Sequence, residues 1–199
     1  MVELGSGLMG ILLAYLIGSI STAILVSRLL GLPDPRHSGS GNPGATNVLR
    51  LGGKLPAALT LLGDILKGWL PVFVFLQLDY LPNAMIALIG LAAFLGHLYP
   101  LYFEFKGGKG VATAVGVVLA ISPITALLLI ATWLITAGVS RYSSLAALVA
   151  ALAAPIYLSL VAPDPWLVAM LCVMVFFLYV RHFENIKRLL SGTESRIGK

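Results

Sequence analysis

The chain carries a single cysteine, Cys172, in 199 residues. No disulfide can form within it, and a lone thiol cannot assemble a zinc site, so Cys172 reads as packing inside an apolar run. Charge is scarce as well. Only 11% of residues are Asp, Glu, Lys or Arg, against roughly 25% in soluble domains. With 59% of the chain apolar, no water-soluble core could absorb the surplus, and lipid must be the solvent for most of it. No long polar linker divides the chain, so residues 1–199 read as one domain. No Lys or Arg precedes Arg28. The start therefore lacks the basic region of a secretory signal, and the first apolar run reads as a retained span. Internal repeats and low-complexity tracts are missing too.

Six apolar runs are present: 5–27, 55–78, 83–102, 111–139, 145–161 and 166–180. Roughly 20 residues cross a bilayer as a helix. Run 111–139 is long for one crossing and short for two. The cations decide between them. Of thirteen Lys and Arg, only Lys67 lies inside a run. Counted as one crossing, run 111–139 sends Arg141 and the five tail cations to the face opposite Arg28. Broken at Ser122-Pro123, it lets all twelve cations outside the runs share one face. The other face keeps Glu3, Asp79 and Asp164. The positive-inside rule selects the second threading, and Pro123 supplies the break. The expected fold is an all-α polytopic membrane protein, a bundle of about seven transmembrane helices with N-terminus out, C-terminus in and some spans short. The loop 107–110 is expected to dip into the membrane beside a site. Gly18, Ser19, Ser21, Gly90 and Gly96 allow close helix packing. The net charge of +5 is thus a topological signal first, and does not imply a nucleic-acid partner. An acidic substrate is compatible with it.

The expected inner face also collects the polar segments. Gly39-Ser-Gly-Asn-Pro-Gly44 has the letters of a dinucleotide fingerprint, but a membrane helix precedes it and Pro43 interrupts it, which excludes that fold. Its glycines still bring backbone N–H groups toward an anion. Ser40, Asn42, Thr46 and Asn47 add neutral donors, and Arg50 adds a fork suited to phosphate or carboxylate. A plain capped turn does not need so many donors. Gly107-Gly108-Lys109-Gly110 lacks the P-loop pattern, yet three glycines around a lysine, with Thr113 in the following helical turn, form a plausible anion nest. Arg141 and Ser144 in a very short loop either close that site or, for Arg141, serve topology alone. Asp64 and Lys67 share a helix face and can neutralise one another, as a functional pair or as one that orders the first loop. His97 lies near the inner end of the third run, either as a structural histidine or as a hydrogen-bond partner of the glycine loop. After the last run, Glu184 and Arg188 are spaced to pair, while His182 and Asn185 share a face that can look back at the loops.

Taken together and in order, these segments resemble the bacterial acyl-phosphate:glycerol-3-phosphate acyltransferases, the PlsY family, over nearly the whole chain. Its first motif corresponds to residues 39–50 and its second to 107–113 preceded by Gly96-His97. Its third corresponds to Arg181-His182 with Glu184-Asn185-Ile186 and Arg188-Leu189. The resemblance implies a seven-helix bundle in the bacterial cytoplasmic membrane, with its active site facing the cytoplasm. It implies essential roles for Ser40, Arg50, His182 and Asn185, glycerol-3-phosphate binding by the second-motif glycines, and a structural Glu184. His37 carries no assigned role.

The chemistry this implies needs no cofactor and no metal, because an acyl phosphate is already activated. The protein must hold two anions, align the glycerol 1-hydroxyl with the acyl carbonyl and stabilise the oxyanion. Lys109, Arg50 and the backbone of 107–110 are assigned to phosphate. Ser40, Asn42 and Asn185 are assigned to positioning or the oxyanion. His182 or a substrate phosphate oxygen takes the proton. No G-x-S-x-G elbow and no His-x-x-x-x-Asp pattern is present, so direct transfer without an acyl-enzyme is expected. The product is lysophosphatidate plus orthophosphate. The competing reading is a transporter of a phosphorylated metabolite. Transporters place substrate near the midplane, often between inverted repeats, whereas here the donors gather at one surface.

Overall fold

The computed structural model describes residues 2–198. Its regular structure is helical: α1 (Val2–Gly18), α2 (Thr22–Leu29), α3 (Ala45–Gly52), α4 (Lys54–Leu76), α5 (Asn83–Leu98), α6 (Val111–Ile121), α7 (Pro123–Ser140), α8 (Ser143–Val161), α9 (Pro165–Arg181) and α10 (Phe183–Leu190). A 3-10 turn, Leu101–Phe103, follows α5.

Among the described residues, five segments are long and apolar enough to cross a membrane: Glu3–Leu29, Lys54–Leu76, Asn83–Phe103, Pro123–Ser140 and Ser143–Val161. Helices α9 and α10, bent by 61° from one another, make a sixth when taken as one broken span. The expected break before Pro123 is present. Ser122 caps α7, its Oγ accepting the Thr125 N–H at 3.3 Å, with Pro123 as the first helical residue. The helix before that break, α6, has 11 residues and rises only about 16 Å. It is too short to span hydrocarbon about 30 Å thick, which is why length supports fewer crossings than charge does.

The packing follows the small residues. α4 lies on α6, α1 on α5, and α7 on α8. A Cβ at Gly68 would overlap the Thr113 carbonyl oxygen, and one at Gly116 the Ile65 carbonyl oxygen. Gly18 and Gly96 make the same close approach between α1 and α5. In lipid, close backbone contact of this kind replaces the hydrophobic drive that packs helices in water. Large apolar side chains such as Val139 and Leu160 remain outside and face the solvent that suits them. Cys172 lies on that outer surface as well, not in the packed interior.

A break in a membrane helix leaves backbone carbonyls needing partners. Between α1 and α2 the gap residues 19–21 expose the Ile20 carbonyl, and Lys67 from α4 donates to it at 2.8 Å. Lys67 is neutralised by Asp64, 2.8 Å away, with both side chains about nine-tenths or more buried. Asp64 also accepts from the Thr22 hydroxyl at the start of α2, and His97 Nδ1 stands 3.5 Å from it. The pair stitches a broken first span to α4 and α5.

The α4–α6 contact yields a direct test. Gly116→Ala should destabilise the detergent-solubilised protein by about 1–3 kcal/mol, the usual cost of overpacking. Gly138→Ala, where a Cβ meets nothing within 4 Å, should not lower the melting temperature. Equal melting temperatures for the two variants would contradict this packing.

Candidate functional site

The loop between α2 and α3 is organised by one buried side chain. Asn47 Oδ1 accepts the Ser40 N–H at 2.8 Å, while its Nδ2 donates to the Pro35 and Ser38 carbonyls at 2.9 Å each. Gly39 and Gly41 adopt φ of +63° and +72°, conformations glycine reaches without strain. A Cβ at Gly39 would strike Asn47 Oδ1. Ser40 stays exposed and Asn42 half-buried. Asn47 therefore shapes the turn, and the turn presents Ser40.

The second glycine segment is held from behind. The Gly108 N–H donates to the His97 carbonyl at 3.2 Å, so His97 reaches the loop through its backbone. The Arg181 guanidinium donates to the Gly107 carbonyl at 2.6 Å and to the Gly108 carbonyl at 3.1 Å. A side chain at Gly107 or Gly108 would collide with His97. Gly110 has φ +87° and backs onto the Phe94 ring. Glycine is required at all three positions for the backbone to lie where it does.

This places Lys109 against the far end of the chain. Its Nζ donates to Asn185 Oδ1 on α10. Asn185 Nδ2 donates onward to Glu194 Oε1 at 2.6 Å, and the Ser144 hydroxyl donates to the same oxygen at 2.7 Å. Arg188 Nε donates to Glu194 Oε2 at 2.7 Å. Residues beside Glu194 are tied down too. Arg50 Nη2 donates to Ser195 Oγ at 2.9 Å. Arg141 donates to the Ile197 carbonyl at 3.2 Å and accepts the Ile197 N–H at 2.7 Å. The tail after α10 thus crosses a ring of groups drawn from α3, the glycine loop, the α7–α8 connection and α10.

The ring is electropositive. Burial pushes the Lys109 ammonium down to about 8, Glu194 works against that shift, and the charges of Arg188, Arg181 and Arg50 add to it. Burial alone would raise the Glu194 carboxyl. Hydrogen bonds from Ser144, Arg188 and Asn185 outweigh it and hold the group below the usual glutamate range. His182, buried beside this ring, has Nδ1 2.9 Å from the Leu178 carbonyl. A carbonyl only accepts, so a neutral His182 carries its proton on Nδ1 and leaves a lone pair on Nε2.

Several residues stand elsewhere than their spacing suggests. Glu184 is exposed and pairs with Lys187 at 3.1 Å, because Arg188 takes the better-buried Glu194 instead. Thr113 is fully buried at the α4–α6 contact, its hydroxyl without a partner. Thr46 Oγ1 lies 3.3 Å from Ser143 Oγ at the margin of the ring. Asp64, Lys67 and His97 form a supporting layer behind the glycine loop. Glu194, Ser195 and the clamp made by Arg181 are not anticipated by the motif spacing. The one available signal was an acid standing alone in a basic tail.

Glu194 is the fastener of this arrangement. Removing its carboxylate should strand Arg188 and free the tail, at about 1–3 kcal/mol. Limited trypsin cleavage after Arg196 should accelerate about tenfold in Glu194→Ala, since cleavage follows the population of the open form. An unchanged rate would show that the tail is held by something else.

The chain matches the model of the family described as glycerol-3-phosphate acyltransferase over residues 8–192. A glycerol-3-phosphate acyltransferase of Bordetella pertussis is 58% identical over 195 residues, covering 95% of this chain and 91% of the relative. One from Thioalkalivibrio sulfidiphilus is 57% identical over 185 residues, covering 93% and 91%. Among solved structures, the glycerol 3-phosphate form of PlsY (YgiH), an integral membrane glycerol 3-phosphate acyltransferase, superposes with a TM-score of 0.93 at 42% identity, over 97% of this chain and 96% of that one. The lysophosphatidic acid form of PlsY gives 0.91 at 41% identity, over 97% and 96%. A membrane bundle whose distant segments meet in one electropositive ring, and which matches the family model over residues 8–192, belongs to the glycerol-3-phosphate acyltransferase family.

Proposed function

We propose that this protein transfers a fatty acyl group from acyl phosphate to the 1-hydroxyl of glycerol-3-phosphate, releasing lysophosphatidate and orthophosphate. The observation that carries the reading is the Glu194 carboxylate. It is gripped by Ser144, Asn185 and Arg188, with Lys109 one hydrogen bond away through Asn185 and Arg50 on the neighbouring Ser195. Such a constellation already holds an anion, and phosphate presents the same oxygen acceptors with more charge. Lys109, Arg50, Arg141, Ser144 and the backbone of 107–110 are assigned to substrate phosphate, with the carboxylate and tail giving way.

Direct transfer is the mechanism assigned. The glycerol hydroxyl attacks the acyl carbonyl, the oxyanion forms, and phosphate departs with the electrons of the C–O bond. Ser40 and Asn185 position the reactants and donate to the developing oxyanion. The hydroxyl proton goes to His182 Nε2, or to an oxygen of the donor's own phosphate. The acyl chain lies among the apolar helix surfaces.

The same reading places the protein in a bacterial inner membrane with seven crossings, N-terminus out, and the ring facing the cytoplasm. Its support is the collection of twelve cations on one face. Transport of a phosphorylated metabolite is disfavoured, because the ring is assembled from loops and helix ends and not from the middle of the spans.

Purified protein given acyl phosphate and glycerol-3-phosphate should form lysophosphatidate and orthophosphate in equal amounts, with acyl-CoA inert. Turnover with acyl-CoA alone, or glycerol-3-phosphate flux into sealed vesicles without a donor, would overturn the assignment. A pH test follows from Lys109. A group depressed to about 8 is charged below that pH and loses its charge above it. The KM for glycerol-3-phosphate should therefore be flat to about pH 8 and then rise toward tenfold per unit. Lys109→Arg should remove the rise.

A further inference from the structure

A second basic pocket lies on the other side of the glycine loop. It has a volume of about 260 Å³, and Arg36, His37, Gly41, Pro43, Phe105, Lys106, Gly107 and Arg181 line it. The catalytic assignment uses neither Arg36, His37 nor Lys106. Within its walls Arg36 pairs with Asp34 at 2.8 Å and Lys106 with Glu104 at 2.8 Å. Arg181 pairs with no carboxylate among the described residues. It holds the Gly107 and Gly108 carbonyls and lies 5.9 Å from the Tyr99 ring centroid. Three fixed cations thus face two carboxylates, leaving one positive charge in excess before His37 is counted.

Phe105 lines the pocket, and the chain just before it is apolar. Leu101, Tyr102 and Phe105 are all about half exposed, directly after the membrane-length segment that ends at Phe103. Glu104 and Phe105 take φ of +55° and +58° in succession, a conformation that costs non-glycine residues roughly 1 kcal/mol or more each. Strain of this sort persists where surrounding structure imposes it, and it gathers at binding sites. Basic pockets beside membrane helices are suited to lipid head groups, and exposed apolar rims to the chains attached to them.

We propose that this pocket binds the phosphate of an anionic membrane lipid, with the headgroup among Arg36, His37, Lys106 and Arg181 and the acyl portion against Leu101, Tyr102 and Phe105. The pocket backs onto the same glycine loop through Gly107 and Arg181 but shares none of the side chains that grip Glu194, and its occupancy does not depend on the reaction assigned there. Two sources share the chemistry: a lipid phosphomonoester such as lysophosphatidate, and a phosphodiester such as phosphatidylglycerol.

Native mass spectrometry of the full chain, in neutral micelles doped with lysophosphatidate, phosphatidylglycerol or phosphatidylcholine, tests it. Besides any lysophosphatidate held as product in the ring, the wild type should retain one anionic lipid and no phosphatidylcholine. Retention of phosphatidylglycerol marks a general lipid-phosphate site and supports the proposal; retention of lysophosphatidate alone supports it where the lipid survives Arg50→Gln, since the ring also holds lysophosphatidate as product, and overturns it where that variant loses the lipid. Lys106→Gln, an exposed change that leaves the fold intact, should weaken retention about fivefold, and Arg36→Gln with Lys106→Gln further. Arg50→Gln, in the other site, should leave phosphatidylglycerol retention unchanged and lower only the lysophosphatidate held as product. The proposal fails if the pocket variants retain lipid like the wild type, if Arg50→Gln abolishes retention, or if equimolar inorganic phosphate displaces the lipid.

Discussion

The hydrogen bond from Lys109 to Asn185 joins a glycine loop to the last helix across 76 positions of sequence. Everything proposed about chemistry depends on that closure. Lys109 reaches Asn185 only because the loop beneath it has no side chains to hold it off, and because Arg181 pins two of its carbonyls from the same last span. Asn185 in turn faces Lys109 with its oxygen because its amide nitrogen is claimed by Glu194. Each donor in the chain fixes the orientation of the next, which is how a polar network inside a low-dielectric setting becomes rigid.

The supporting layer behind the loop obeys the same economy of partners. A first span broken at residues 19–21 needs a donor for its freed carbonyl, and Lys67 provides it. The ammonium needs a counter-charge, and Asp64 supplies it. Asp64 brings His97 alongside, and the His97 backbone receives the glycine loop. A buried ion pair of this kind adds little net stability by itself. Its effect here is to set where three helices and a loop stand relative to one another.

Much of this was legible in the residues. Apolar runs gave the helices, and Ser122-Pro123 gave the break between α6 and α7, because proline chemistry is local. The glycine segments, Arg50, Lys109, Ser144, His182 and Asn185 stood out as polar donors too numerous for plain turns. Three things were not legible. The pairing of Arg188 with Glu194 instead of Glu184 depends on the tail folding back, which spacing on one helix does not encode. That Thr113 is buried against Gly68 depends on a separate helix and is not written in its own helix-start pattern. The crossing count rested on charge, whereas the 11 residues of α6 leave length and charge in tension, and a sequence window does not reveal how thin the surroundings are at that point.

The central claim is that remote segments act as one anion-holding unit. A double-mutant cycle on Lys109→Met and Asn185→Leu, read through the KM for glycerol-3-phosphate, tests it most directly. Residues in one network are coupled by about 0.5–3 kcal/mol, so the double variant should bind substrate at least a few-fold better than the product of the single losses. Losses that multiply independently, within about 0.3 kcal/mol, would contradict the account.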